Sequence, residues 1–198
     1  TETVTATLVM MGISPFFRVF GPQPTTVQRL AAHPEALDGL KEVIHRAHRG
    51  ANFALGFAVH RMDPDAPVIH EAALLHDFAE MLLWCHAPSL ALRIRQAQRA
   101  DPTLRSAAIQ QEVLGIQLAD LQQALMKAWR LPELLIRISD DHHADRASVR
   151  NVLLAVRLAR HTAGGWDNAA IPDDVADIAA LLNLSAGAAL QLVRSIET

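Results

Sequence analysis

Apolar residues recur every three or four positions along most of the chain, which is the spacing of one face of an α-helix. Proline, glycine or aspartate interrupts the pattern where helices commonly end. The pattern therefore predicts an all-α fold, a single bundle of about ten helices. We expect these helices at 26–32, 34–62, 66–86, 88–100, 104–113, 116–130, 132–141, 147–163, 174–183 and 185–196. Residues 1–13 are ambiguous because their threonines and valines also suit a strand, and the following prolines predict turns.

The predicted helix 66–86 belongs at the centre of the bundle. Apolar residues lie on nearly every face between Glu71 and Trp84, and a helix that is apolar all round is buried. His76 and Asp77 stand in its middle. A buried carboxylate must be paired, bound to a metal or protonated. Asp77 therefore either braces two helices by bonding an arginine or the backbone, or belongs to a functional site.

Composition excludes several classes of protein. The chain is 51% hydrophobic, which is too apolar for a disordered protein, and its one cysteine cannot support a disulfide framework. A net charge of -3 argues against a nucleic-acid partner. No apolar stretch approaches the roughly 18 residues of a membrane helix, so we expect no membrane partner. The first residues lack a signal peptide, which favours a cytoplasmic location, and the absent initiator Met is compatible with a fragment.

The chain carries ten histidines and no tyrosine. Histidine is the commonest metal ligand, but the spacing of zinc sites is absent, as are phosphate loops and nucleophile elbows. The polar groups that remain come in the order His48, His76-Asp77 and His142-His143. The stretch before His76 is long enough to bring His48 opposite it on an antiparallel helix. The simpler alternatives are a solvated His48 and a histidine pair favoured at a helix C-terminus by the dipole.

Short motifs follow one another in a distinctive order. They are Ala47-His48-Arg49, Leu74-Leu75-His76-Asp77, Glu112-Val113-Leu114-Gly115, Ala119-Asp120, Trp129-Arg130-Leu131-Pro132 and His142-His143. In this order they resemble the HD superfamily of metal-dependent phosphohydrolases and, more closely, the HDOD family of output domains in bacterial signalling proteins. The resemblance spans about residues 1–196 and implies one domain over 1–198, the later part of the family domain, with the opening helices missing.

The chain departs from the pattern of the family's enzymes. Leu118 stands where a histidine is common, and Val156 stands where the enzymes carry a last metal-binding aspartate. Valine cannot bind a metal, and hydrolysis needs a metal-activated water in a fixed site. The resemblance thus implies that His48, His76 and Asp77 form a weak or vestigial metal site. We expect no cofactor, and a bound divalent metal is doubtful.

The resemblance implies a regulatory domain that binds another signalling protein or a small ligand without catalysis. His142, His143 and Arg157 are the expected neighbours of the ligand site, and Arg157 is hypothesised to pair with Asp77 in place of the metal charge. One alternative is a phosphohydrolase acting on a nucleotide or phosphoester, with a replacement carboxylate from Asp140, Asp141 or Asp145. Another is a helix-turn-helix module at 178–190, for which two packed helices are the simpler interpretation.

Overall fold

The computed structural model describes residues 3–101 and 103–197. These residues form thirteen α-helices and one short 3₁₀ helix, with no strand among them, so the all-α prediction is confirmed. The helices are α1 (Val4–Met11), α2 (Ile13–Phe20), α3 (Thr26–Arg29), α4 (Pro34–His60), α5 (Ala66–Leu74), α6 (Phe78–His86), α7 (Pro88–Ala100), α8 (Ser106–Leu114), α9 (Leu118–Ala128), α10 (Glu133–Ile138), α11 (Ala147–His161), α12 (Ile171–Leu182) and α13 (Ala186–Ile196). The 3₁₀ helix spans Asp141–His143, between α10 and α11.

The chain divides into two compact units. Among the described residues, the α11 unit contains Thr3, His45–His76 and residues 130–197, and the α6 unit contains Val4–Ile44 and Asp77–Trp129. Helix α4 contributes its first residues to the α6 unit and the rest to the α11 unit. The single domain over 1–198 stays a prediction.

The core of the α11 unit surrounds helix α11. Phe53 and Phe57 of α4 stack with their ring centroids 6.3 Å apart, and both are fully buried. Leu158 of α11 and Ile178 of α12 are also fully buried in this core. Burying side chains of this size stabilises the fold by about 2 kcal/mol each, and α11 contributes eight buried residues.

A second core fills the α6 unit. It consists of the buried residues Leu30, Ala36, Leu40, Val43, Trp84 and Ala91. The Trp84 indole lies directly against the backbone of α4 at Gly39, where a Cβ atom would be 2.6 Å from the ring atom Cζ2. Glycine is therefore required at this position by the close approach of a rigid ring.

The predicted helix 66–86 is wrong, because it is two helices. Residues 75–77 form a turn between α5 and α6, and Leu75 (φ −93°, ψ 3°) ends α5 by donating its N–H to the carbonyls of Glu71 and Ala73. Asp77 then occupies the N-cap position of α6, but its side chain makes no capping hydrogen bond there. The turn residues are still half-buried and apolar residues flank them closely on both sides, so periodicity alone did not reveal the break.

The ambiguous N-terminal stretch is helical where it is described. Residues 4–11 form α1, whereas Thr1 and Glu2 of the predicted ambiguous segment lie outside the described residues. The predicted turns after residue 13 are partly wrong, because α2 occupies Ile13–Phe20. Pro15 falls in the first turn of α2, where the missing N–H of proline has no helical partner to lose. The predicted helix 132–141 is also shorter, since α10 ends at Ile138.

Within the described ranges, no single helix combines the length and apolar composition that a membrane crossing requires. The pair α12 and α13, bent by 99° at their junction, meets those criteria only when the two helices are taken together.

Replacing Gly39 by alanine is expected to destabilise the protein. The added methyl group collides with the Trp84 ring, and overpacking of this kind costs about 2 kcal/mol, more than the gain in helix propensity. Chemical denaturation measures the change in the free energy of unfolding.

Gly187→Ala in α13 is the matched control for this substitution. A Cβ at Gly187 would meet no heavy atom within 4 Å, so the same change there should stabilise the protein by about 0.5 kcal/mol. Equal effects at the two glycines would contradict the steric account of Gly39.

Candidate functional site

The turn at His76 lies against the 3₁₀ helix of the α11 unit. His76 Nε2 is 3.3 Å from Asp141 Oδ1, and the two side chains are 13% and 37% exposed. Asp140 fixes the 3₁₀ helix, because its Oδ1 accepts the backbone N–H of His142 and its Oδ2 lies 3.2 Å from His143 Nδ1. The structure thus brings two predicted motifs together, and the contact runs through Asp141. His142 and His143 are exposed.

The predicted metal ligands do not form a recognisable metal site. His48 is exposed on α4, His76 lies in the α11 unit, and Asp77 is half-buried in the α6 unit. Across residues 3–101 and 103–197, no group of three or more His, Cys, Asp or Glu side chains is placed to hold a metal ion. This donor set does not fit a resident metal of the kind that hydrolysis would use. Weak binding by His48, His76 and Asp77 stays a prediction.

Arg157 forms an ionic cluster with helix α12. Its Nε is 2.7 Å from Asp174 Oδ1, and its Nη2 donates to Asp177 Oδ2 at 2.5 Å. His161 Nδ1 lies 2.6 Å from the other oxygen of Asp174, whose side chain is only 3% exposed. Burial of the Arg157 guanidinium lowers its pKa, but the hydrogen bond to Asp177 and the charges of both aspartates outweigh this and leave that pKa raised.

The two aspartates of α12 account for the position of the Arg157 side chain. The hypothesis from the sequence paired Arg157 with Asp77, whereas the structure places Asp174 and Asp177 at the guanidinium. A buried carboxylate needs a counter-charge, and here the counter-charge also joins α11 to α12. The role of Arg157 as a neighbour of a ligand site stays a prediction.

A second polar site, which no motif in the sequence indicated, surrounds Arg49. Arg49 Nη1 donates to the Ala159 carbonyl at 3.1 Å, and Nη2 donates to Thr162 Oγ1 at 2.6 Å. On its other side, Nε donates to Glu197 Oε1 at 2.9 Å, and Nη2 also bonds that oxygen. Trp166 Nε1 donates to Glu197 Oε2 at 3.1 Å.

A cavity of 290 Å³ opens beside this ion pair. Its lining residues are His45, Arg49, Asn52, Phe53, Ile196 and Glu197. The available signal in the sequence was Arg49 itself, which directly follows His48 in the first motif. No local pattern indicates a partner 148 positions later in the chain.

The proposed helix-turn-helix segment is part of the core. Asn183 ends α12 in the left-handed conformation (φ 55°, ψ 45°), and the Ser185 hydroxyl accepts the Ala188 N–H to begin α13. Ile178 and Ala189, from the two helices, are fully buried. This burial favours the interpretation of two packed helices.

Comparison with known proteins identifies the family. The family model described as the HDOD domain matches residues 3–145, and the chain belongs to this family. No curated protein and no solved structure matches the chain. The match includes His48, His76 and Asp77 and ends at Asp145, so helices α11–α13, with Val156, lie beyond it. The resemblance drawn from the motifs is therefore confirmed.

Asp174→Asn tests the ionic cluster. The amide keeps the shape of the side chain but removes the charge that faces Arg157 and His161, so we expect a loss of about 2 kcal/mol in the free energy of unfolding. Urea denaturation measures this change.

Asp173→Asn supplies the comparison, because Asp173 lies in the same first turn of α12 but is exposed. Removing the Asp173 charge should lower the free energy of unfolding by about 0.5 kcal/mol or less, because only its interaction with the helix dipole is lost. If both substitutions had the same small effect, the cluster would contribute nothing beyond the dipole.

Proposed function

We propose that this HDOD domain is a non-catalytic regulatory module of a bacterial signalling protein. It acts by binding another signalling protein or a small ligand and by passing on its conformational state. Membership of the family supports a signalling context, and the composition and placement of the polar groups support binding over hydrolysis.

The observation that carries this proposal is the buried position of Val156. The resemblance aligns Val156 with the last metal-binding aspartate of the family's enzymes. Val156 is only 5% exposed, and a Cβ placed on Gly50 would lie 3.5 Å from its Cγ2, so helix α4 packs closely over it. An isopropyl side chain offers no lone pair to a metal, and the close packing leaves the position apolar.

A metal-dependent phosphohydrolase is the second candidate, and Asp141 is the observation that favours it. An active enzyme would need a carboxylate in place of the missing aspartate, and Asp141 lies within 3.3 Å of His76. Together they supply two donors, one nitrogen and one oxygen. No third donor joins them among the residues that the structure describes.

Metal analysis and a hydrolysis assay distinguish the two candidates. We expect purified protein to contain metal well below one ion per chain, because the described donors do not converge on a common point. We also expect no hydrolysis of bis(p-nitrophenyl) phosphate when manganese is added. Elemental analysis and release of nitrophenol are the respective measurements.

Asp141→Asn and Asp145→Asn form the control pair for the assay. Asp141 contacts His76, whereas Asp145 is exposed after the 3₁₀ helix. Manganese-dependent hydrolysis that is lost in the Asp141 variant and retained in the Asp145 variant would overturn the non-catalytic proposal. It would also identify Asp141 as the replacement ligand.

A further inference from the structure

The donors around Glu197 are organised as an oxyanion site. The Arg49 guanidinium also donates to the Ala159 carbonyl and to Thr162 Oγ1, and these two bonds orient it without the help of the carboxylate. Arg49 bonds one oxygen of Glu197 and Trp166 bonds the other, at 2.9 Å and 3.1 Å. A fixed guanidinium with a second N–H donor beside it matches the geometry of a carboxylate or phosphate group.

The surroundings of this site are positively charged and partly apolar. The Arg194 guanidinium lies 5.2 Å from the centroid of the Trp166 ring, which places a second cation beside this tryptophan. The adjoining cavity presents His45 and Asn52 as polar groups and Phe53 as an apolar wall. Its 290 Å³ is near the lower end of the volumes of small-molecule sites, about 300 Å³.

Glu197 reaches the site from the end of the last helix. It follows directly after α13, its side chain is 24% exposed, and its carboxylate accepts hydrogen bonds from Arg49 and Trp166. Ile196 is seated against Gly56 of α4, where a Cβ would lie 2.4 Å from Ile196 Cδ1. The Glu197 carboxylate is therefore partly open to solvent, where a ligand anion can compete with it for Arg49.

We propose that this cleft binds a small organic anion through a carboxylate or phosphate group, and that Glu197 fills the anion position when the ligand is absent. The anion takes the place of the Glu197 carboxylate between Arg49 and Trp166, and its organic part enters the adjoining cavity beside Phe53. That anion binding here is regulatory rests on the proposed function. The new element is the chemical class of the small ligand, an organic anion. Its test is independent of metal content and hydrolysis, so either proposal can fail without the other.

The test uses the Trp166 indole N–H as a reporter. The chain has three tryptophans, and the indole signals of Trp84 and Trp129 serve as internal references in the NMR spectrum of the ¹⁵N-labelled protein. The protein is titrated with inorganic phosphate and with acetate, against sodium chloride at matched ionic strength. We expect a saturable shift of the Trp166 signal with at least one of the two anions, and the tighter one identifies the preferred group.

Glu197→Ala removes the internal competitor and should tighten anion binding. If Glu197 fills the site in about nine molecules of ten, its removal raises the apparent affinity about tenfold. Glu42→Ala is the matched control, because Glu42 also pairs with an arginine, Arg95, which lies near a tryptophan, Trp84, in the α6 unit. That control should leave the titration of Trp166 unchanged.

Arg49→Lys in the Glu197→Ala background tests the guanidinium itself. Lysine keeps the positive charge but lacks the planar pair of N–H donors of the guanidinium, so we expect the anion to bind at least about tenfold more weakly. The proposal is overturned if neither anion saturates the Trp166 shift in Glu197→Ala, if Glu42→Ala gains the same affinity, or if Arg49→Lys binds as tightly. Circular dichroism checks that each variant keeps its helical content.

Discussion

A helix that is buried on most of its surface must satisfy its polar groups inside the protein, and α11 imposes this requirement on its neighbours. Eight of its residues are buried, among them Asn151, which has no exposed surface. The Asn151 amide, oriented to satisfy both its atoms, bridges the Ala54 carbonyl and the Ala58 N–H of α4 at 3.2 Å. Leaving such a group unpaired costs about 1–3 kcal/mol, so the bond fixes α4 against α11.

The charged groups near the C-terminal end of α11 are also paired inside the protein, in this case with carboxylates of α12. Arg157 and His161 lie four positions apart, on one face of the helix, and share the carboxylate of Asp174. The carboxylates at the start of α12 also suit the positive end of that helix's dipole. The polar contacts of α11 thus determine which elements surround the core, although most of the burial is apolar.

Local patterns in the sequence predicted the helices and the family, because both depend on residues close together in the chain. The helical period identified the all-α fold and most helices after residue 34, because apolar spacing reports directly on the buried face of each helix. The order of motifs identified the family. The turn at 75–77 was missed, since it is short, its residues remain half-buried, and apolar residues resume directly after it.

Contacts between distant residues were beyond the reach of those patterns. Arg157 was a candidate from the sequence and Arg49 was only part of a motif, but the partners of both depend on how helices pack, which no periodicity encodes. His76 shows the intermediate case. Its motif and the acidic stretch near 140 were both recognised, yet only the three-dimensional structure shows that Asp141 makes the contact.

The stripe formed by Arg49, Phe53 and Gly56 on α4 has a consequence for the last helix. These residues are three or four positions apart and so share one side of α4. Glu197 forms an ion pair with Arg49, and the Ile196 side chain packs closely against Gly56. The two contacts, one polar and one steric, therefore align the end of α13 with this side of α4 while Glu197 is bound to Arg49.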